Sequence, residues 1–283
     1  MNKWVIGIVT MVIVLAGIIY AIYQLNDYDF NDVEKSYEIV ESWELPSELN
    51  EISGMVYNED GLMICVQDED GILFTFDMET NEIIAKHKFS YSGDYEALTY
   101  LDGVYWVAES NGRIIDISDL DVADQELEGI QLDFEYRNNI EGMTATPDGK
   151  LWITVKDRNL DNSGGYKGVY EYDPETRKMQ KEPVLMIDYE DPKFERLKTH
   201  NPRKLLRPSD LAIHPSTGDL YVLDAEFQKI IITDLQGGIK SIHLLDPAEF
   251  EQPEGIAFSK DGRIFISNER VGVPANIREI KFK

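Results

Sequence analysis

Along most of the chain apolar and polar residues alternate in short runs, the period-two pattern of strands that bury one face. Gly54–Tyr57, Leu62–Val66, Leu73–Asp77 and Ile83–Phe89 are four consecutive examples, rich in Val, Ile, Tyr and Phe. Between such runs lie turn signals: EDG, LDG, PDG, STGD and KDG. These favour tight reversals because Gly accepts positive φ and Asp bonds its own backbone. Only the stretch around Pro192 to Leu206 has a helical character. The pattern predicts an all-β chain.

The strands come in a repeat. A polar residue, a small or acidic residue, an apolar run, a turn and a second apolar run recur as ISGMVYNEDGLMICVQD, YEALTYLDGVYWVAES, IEGMTATPDGKLWITVKD, PSDLAIHPSTGDLYVLDAE and PEGIAFSKDGRIFISNE. With Ser53, Glu96, Glu141, Ser209 and Glu254 as equivalent positions, the offsets are 43, 45, 68 and 45 residues. A period in the forties opened by strand-turn-strand is the signature of a β-propeller with four-stranded blades. The count is five blades. The long interval carries an insertion at 188–207 that is short for a blade, and a sixth, degenerate blade there is the alternative. The last unit supplies only Gly255–Phe258, Ile264–Ser267 and Ile277–Phe282. Its missing strand is Tyr37–Trp43, so the N-terminal strand closes the ring and leaves no open sheet edge.

Ahead of this unit, Trp4 to Tyr23 is uncharged, long enough as a helix to cross a bilayer core of about 30 Å. Lys3 precedes it and Asp27, Asp29, Asp32 and Glu34 follow, which places the N-terminus in the cytoplasm and the rest outside. The expected organisation is a transmembrane signal anchor over residues 1–25, a polar tether over 26–36 and a propeller over 37–283. A cleaved signal peptide is the competing reading of the apolar run.

Charge narrows the partners. The chain has 53 acidic and 27 basic residues, a formal net charge of −26, which excludes general affinity for nucleic acid or anionic headgroups. Cys65 is alone, so an intramolecular disulfide is impossible, and it reads as a core residue. The four histidines lack metal-ligand spacing, and no G-x-S-x-G, H-E-x-x-H or phosphate-cradling glycine loop occurs.

In a propeller the first strand of each blade lines the channel, antiparallel to the second, so the start of the first and the end of the second share one mouth. Both ends are acidic. Glu96, Glu141 and Glu254 open first strands, with Ser53 and Ser209 at the equivalent positions and Asp210 one residue on. Asp68, Glu109, Asp157, Glu226 and Glu269 close second strands, with Asp224 beside Glu226. Converging carboxylates repel unless protonated or bridged by a cation, and an all-oxygen donor set suits Ca²⁺, with Mg²⁺ the alternative. The competing structural role is capping of loop amides. The insertion YEDPKFERLKTHNPRKLLRP carries six Lys or Arg against three acids. It precedes the fourth blade and should lie at the acidic mouth, as a lid, as an anion site built from Lys198, His200, Arg203, Lys204 and Arg207, or as a charge-complementary loop.

EISGMVYNED, VQDEDG, SGDYEALTYLDGVYWVAE, NIEGMTATPDGKLWI and RPSDLAIHPSTGDLYVLD together resemble the SdiA-regulated, or YjiK-like, proteins of bacterial envelopes, over about Trp43 to Arg270. The resemblance implies an envelope propeller distantly similar to phytase-like and esterase-like propellers, with a membrane segment ahead of it. By position it makes Glu51, Glu96, Glu141, Asp210 and Glu254 the matching acids. The leading expectation is a membrane-anchored extracytoplasmic propeller that binds a divalent cation, Ca²⁺ first, and presents a surface to an envelope protein or small anionic ligand. The alternative is a metal-dependent hydrolase of phosphoesters or lactones, with Glu96 or Glu141 as base and the basic insertion holding the anion.

Overall fold

The computed structural model describes residues 34–283 apart from 59, 121–125 and 200. The expected anchor over 1–25 and most of the tether lie outside the described residues, as does His200. Among the described residues no helix is long and apolar enough to cross a membrane. The end of the tether is docked on the domain: Lys35 pairs with Glu249 at 2.5 Å, and the Ser36 hydroxyl meets His243 at 2.9 Å.

Five antiparallel sheets form the ring. The first holds β2 (Ile52–Tyr57), β3 (Leu62–Gln67), β4 (Ile72–Asp77) and β5 (Glu82–Lys88). The second holds β6 (Tyr95–Leu101), β7 (Val104–Glu109), β8 (Arg113–Ile117) and β9 (Ile130–Gln131). In the third, β10 (Ile140–Ala145), β11 (Leu151–Val155) and β12 (Tyr166–Asp173) are followed by an outer position split between β13 (Lys178–Met179) and β14 (Leu185–Asp188), which pair with opposite ends of β12. The fourth holds β15 (Pro208–Ile213), β16 (Leu220–Asp224), β17 (Lys229–Thr233) and β18 (Ile239–Leu244). The fifth joins β19 (Pro253–Phe258), β20 (Ile264–Asn268) and β21 (Asn276–Phe282) to β1 (Tyr37–Glu44). The count is five, and the chain-end closure is as expected, with Tyr37 opposite Phe282. Tyr37 is fully buried; its hydroxyl donates to Glu249 at 2.6 Å and accepts from the Asp246 amide at 3.0 Å, so the closing strand is locked by buried polar groups as well as by its ladder.

Each hairpin between first and second strands turns on a glycine at positive φ: Gly61, Gly103, Gly149, Gly218 and Gly262, at 71–89°. An L side chain there would be strained, which explains the recurring DG and TGD signals. The alternating apolar positions pack between sheets as five clusters, one per interface. Ile64, Leu98 and Val107 sit between blades one and two, and Tyr37, Leu223 and Ile266 between four and five.

The insertion is a packed element. Its first turn is a 3-10 helix, Pro192–Leu197, capped by the Asp191 side chain at 2.8 Å; then comes α1 (Pro202–Leu205), capped by Asn201 at 3.1 Å. Phe194, Leu197, Leu205 and Leu206 are buried in the cluster between blades three and four, and Arg196 donates to the Ile242 carbonyl at 2.8 Å.

Candidate functional site

At the start of every innermost strand the ladder slips by one residue, between Ile52 and Gly54, Tyr95 and Ala97, Ile140 and Gly142, Pro208 and Asp210, and Pro253 and Gly255. The residue skipped is Ser53, Glu96, Glu141, Ser209 or Glu254, the repeated position of the sequence phrase. A β-bulge frees one residue from the ladder and re-aims its side chain. The two serines use this freedom structurally: Ser53 donates to the Tyr95 carbonyl at 2.6 Å and Ser209 to the Pro253 carbonyl at 2.8 Å, each tying its blade to the next. The three glutamates converge instead.

Burial and mutual repulsion raise all three. Burial, then Glu141, Glu254 and Asp94, push the half-buried Glu96 carboxyl up to about 10. Burial lifts Glu141 to about 7, opposed by the Lys156 ammonium 2.8 Å away, while Asn139 donates to its other oxygen at 2.6 Å. Glu254 is raised chiefly by burial, and Gln252 donates to it at 3.2 Å. Gln252 also donates to Glu269, which burial, Glu254, Glu51 and Asp68 push up to about 9. Burial and the neighbouring acids Glu51, Glu69 and Asp94 lift Asp68 to about 6, and its buried Oδ1 has no hydrogen-bond partner. At neutral pH the protonated form is therefore favoured at Glu96 and Glu269. Lys156 is the cation among these acids: burial opposes its charge, but Glu141, Glu254 and Glu96 outweigh burial and raise it.

Four other acids of the mouth are paired. Glu109 accepts from Arg113 at 2.7 Å and from Asn111 at 3.0 Å. Asp224 and Lys229 form a fully buried pair at 2.6 Å, and Asp224 also takes the Arg207 and Phe227 amides at 2.8 and 2.9 Å. Arg207, at the end of the insertion, binds Asp157 at 2.7 Å and Glu226.

Asp210 occupies the position held by Gly54, Ala97, Gly142 and Gly255 in the other blades. It is buried, and its carboxyl oxygens accept from the Leu211 amide at 2.7 Å and the Ile256 amide at 2.8 Å; burial raises this carboxyl well above its usual range, opposed by these amides and that of Met143. It clasps blades three, four and five together, and amides occupy its oxygens. Glu51 is exposed at the rim beside Asp68 and Glu269.

Of the expected anion residues, Arg203 and Arg207 line one small cavity with Lys156 and Lys167. Lys198 ends the 3-10 turn at φ 51°, and Lys204 lies over the Phe227 ring at 5.7 Å, so neither is part of that cavity wall. Lys156, Lys167 and Gln252 carry weight that a reading centred on acids passes over. The pairings had a local signal: Arg113 and Lys229 open the third strand four and five residues after Glu109 and Asp224, across a hairpin. Among the described residues no three of His, Cys, Asp and Glu are grouped closely enough to hold one metal ion.

A family model for SdiA-regulated proteins matches residues 33–271. The chain belongs to the SdiA-regulated family. No curated protein gives a significant sequence match. Among solved structures, glutaminyl cyclase of Myxococcus xanthus aligns at 12% identity and TM-score 0.56, over 88% of this chain and 99% of that one. The PQQ-bound aldose sugar dehydrogenase of Streptomyces coelicolor aligns at 9% identity and TM-score 0.53, over the same shares. These likenesses concern the propeller fold. For this SdiA-regulated chain they extend to the fold alone.

Proposed function

We propose that the chain is a membrane-anchored extracytoplasmic propeller that binds a cation at its acidic mouth, Ca²⁺ first, and so serves as a ligand- or partner-binding module. One arrangement carries this reading: β-bulges free Glu96, Glu141 and Glu254 at the strand starts, where burial and neighbouring acids raise them and Lys156 opposes the shift. A cation in their midst replaces protons, as metal binding does wherever ligands must first deprotonate. With no three-carboxylate cage among the described residues, a Ca²⁺ ion would rest on Glu96 and Glu254 with water and backbone oxygens. The expected affinity is therefore that of weak extracellular sites, about 10⁻⁴–10⁻³ M. The uncharged run at 4–23 and the acidic composition support the envelope location.

The test is calorimetric titration of the full-length chain with CaCl₂ at pH 7.5, in two buffers of different ionisation heat. Binding should release protons, and Glu96→Gln should weaken it and reduce the release. Wild-type protein that shows neither heat nor proton release overturns the reading.

A second reading is favoured by Glu96 and Glu141 together: both carboxyls are raised by burial, and only Glu141 has the Lys156 ammonium at 2.8 Å to favour its charged form. Neighbouring carboxyls driven apart in this way supply one proton donor and one base at the same pH. On that reading the mouth hydrolyses a phosphoester or lactone, with Glu96 as acid and Glu141 as base. Turnover of a chromogenic phosphoester or lactone by wild type, lost in Glu141→Gln, would establish it; no turnover across such a panel removes it.

A further inference from the structure

Beside the acidic mouth, between the loop after β11 and the basic insertion, lies a polar cavity of about 90 Å³. A single water needs only about 10–15 Å³ measured this way. Its wall includes Lys156, Lys167, Arg203 and Arg207, against Asp157 as the acid. Three of these cations already have carboxylate partners: Lys156 has Glu141, Arg207 has Asp157 and Glu226, and Arg203 stands 3.6 Å from Asp157. Lys167 has none.

Lys167 is 3% exposed and donates to the Lys156 and Asp157 carbonyls at 2.8 and 2.9 Å. An ammonium has three N–H donors, so one remains. Arg207 contributes a second: its Nε is buried with no hydrogen-bond partner. Two buried cationic donors left without an acceptor, on residues that line one small cavity, are costly unless an acceptor reaches them. The surrounding loop is built to hold its shape, since Asn159 donates to the Ser163 and Tyr166 carbonyls at 3.1 and 2.7 Å and accepts from the Gly168 amide at 2.9 Å.

We propose that this cavity is a binding site for a small oxyanion, either free phosphate or the phosphate or carboxylate end of a ligand, held by Lys167 and Arg207 with Arg203 at its entrance. The site is distinct from the carboxylate cluster and does not depend on the cation reading. Burial pulls the Lys167 ammonium down to about 8, with Arg207 reinforcing that shift and Asp157 and Asp224 opposing it. A bound anion supplies the counter-charge that the fold omits.

The experiment is calorimetric titration of the full-length chain with inorganic phosphate in a chloride buffer, with parallel arms in sulfate and acetate. Phosphate should bind, and Lys167→Met should weaken it by about 10-fold or more, the loss expected for one charge-assisted bond. Ser163→Phe fills the cavity while keeping every cation, and should weaken binding as much, even if Lys167→Met fails to fold. Lys193→Ala, on the exposed face of the insertion, should leave phosphate binding intact. Acetate binding in preference to phosphate supports the site and assigns it to a carboxylate group. Absence of binding in all three arms, or equal binding by wild type, Lys167→Met and Ser163→Phe, overturns the proposal.

Discussion

Two sides of one mouth are built from the same repeat and end in opposite electrostatic states. Around blades three and four, acids at the strand ends meet cations: Asp224 with Lys229, Asp157 and Glu226 with Arg207, and Glu141 with Lys156. Around blades five, one and two, Glu254, Glu269, Asp68 and Glu96 meet mainly one another. The difference lies in where the basic residues fall. The insertion delivers Arg207 to one side, whereas on the other Arg113 pairs with Glu109 and not with these four acids. A repeated position therefore does not imply a repeated role, because the bulge presents the side chain and its neighbours decide the charge state.

The comparison breaks most sharply at the buried pair. Lys229→Met leaves Asp224 uncompensated in a fully buried site, and should cost about 3–5 kcal/mol, read as a fall in the denaturant midpoint. Asp210→Ala, which strips the acceptor from the Leu211 and Ile256 amides, should cost about 2–4 kcal/mol on the same measurement.

On the unpaired side the sign reverses. A carboxyl whose pKa is higher folded than unfolded favours the native state while protonated, and that contribution is lost as pH rises from about 4.5 through the folded value. For Glu96 the window runs from 4.5 to about 10, for Glu269 to about 9, and for Asp68 from 3.8 to about 6. The chain should therefore be more stable at pH 5 than at pH 8. Glu96→Gln should stabilise it at pH 8 by about 1–3 kcal/mol and flatten the slope of melting temperature against pH. A stability maximum above pH 8 in the wild type would contradict this. The smallest effect belongs to the exposed end of the paired side: Glu226→Gln should change stability by less than about 1 kcal/mol.

Much of this was legible in the sequence. The recurring phrase and its glycine turns specify five blades, and the three-stranded last unit calls for Tyr37–Trp43 as its fourth strand. The bulge was hidden, because a residue that slips a ladder looks like any other polar residue at a strand start. So was the role of Asp210. Its place among Gly54, Ala97, Gly142 and Gly255 marks it as unusual, but only the neighbouring strands show that amides claim its oxygens. Lys156 and Lys167 fall within strand-like runs and converge through loop geometry. Segment 4–23 remains an expectation of hydrophobicity alone.

Proton storage at neutral pH is what should distinguish the unpaired side of the mouth. Its most direct test is a carboxyl ¹³C titration of the glutamates, with the Glu96 resonance assigned by its loss in Glu96→Gln. Glu96 should stay protonated at pH 7 and titrate far above the ordinary glutamate range, with Glu269 also high. A Glu96 carboxyl that ionises near 4.5 would contradict it.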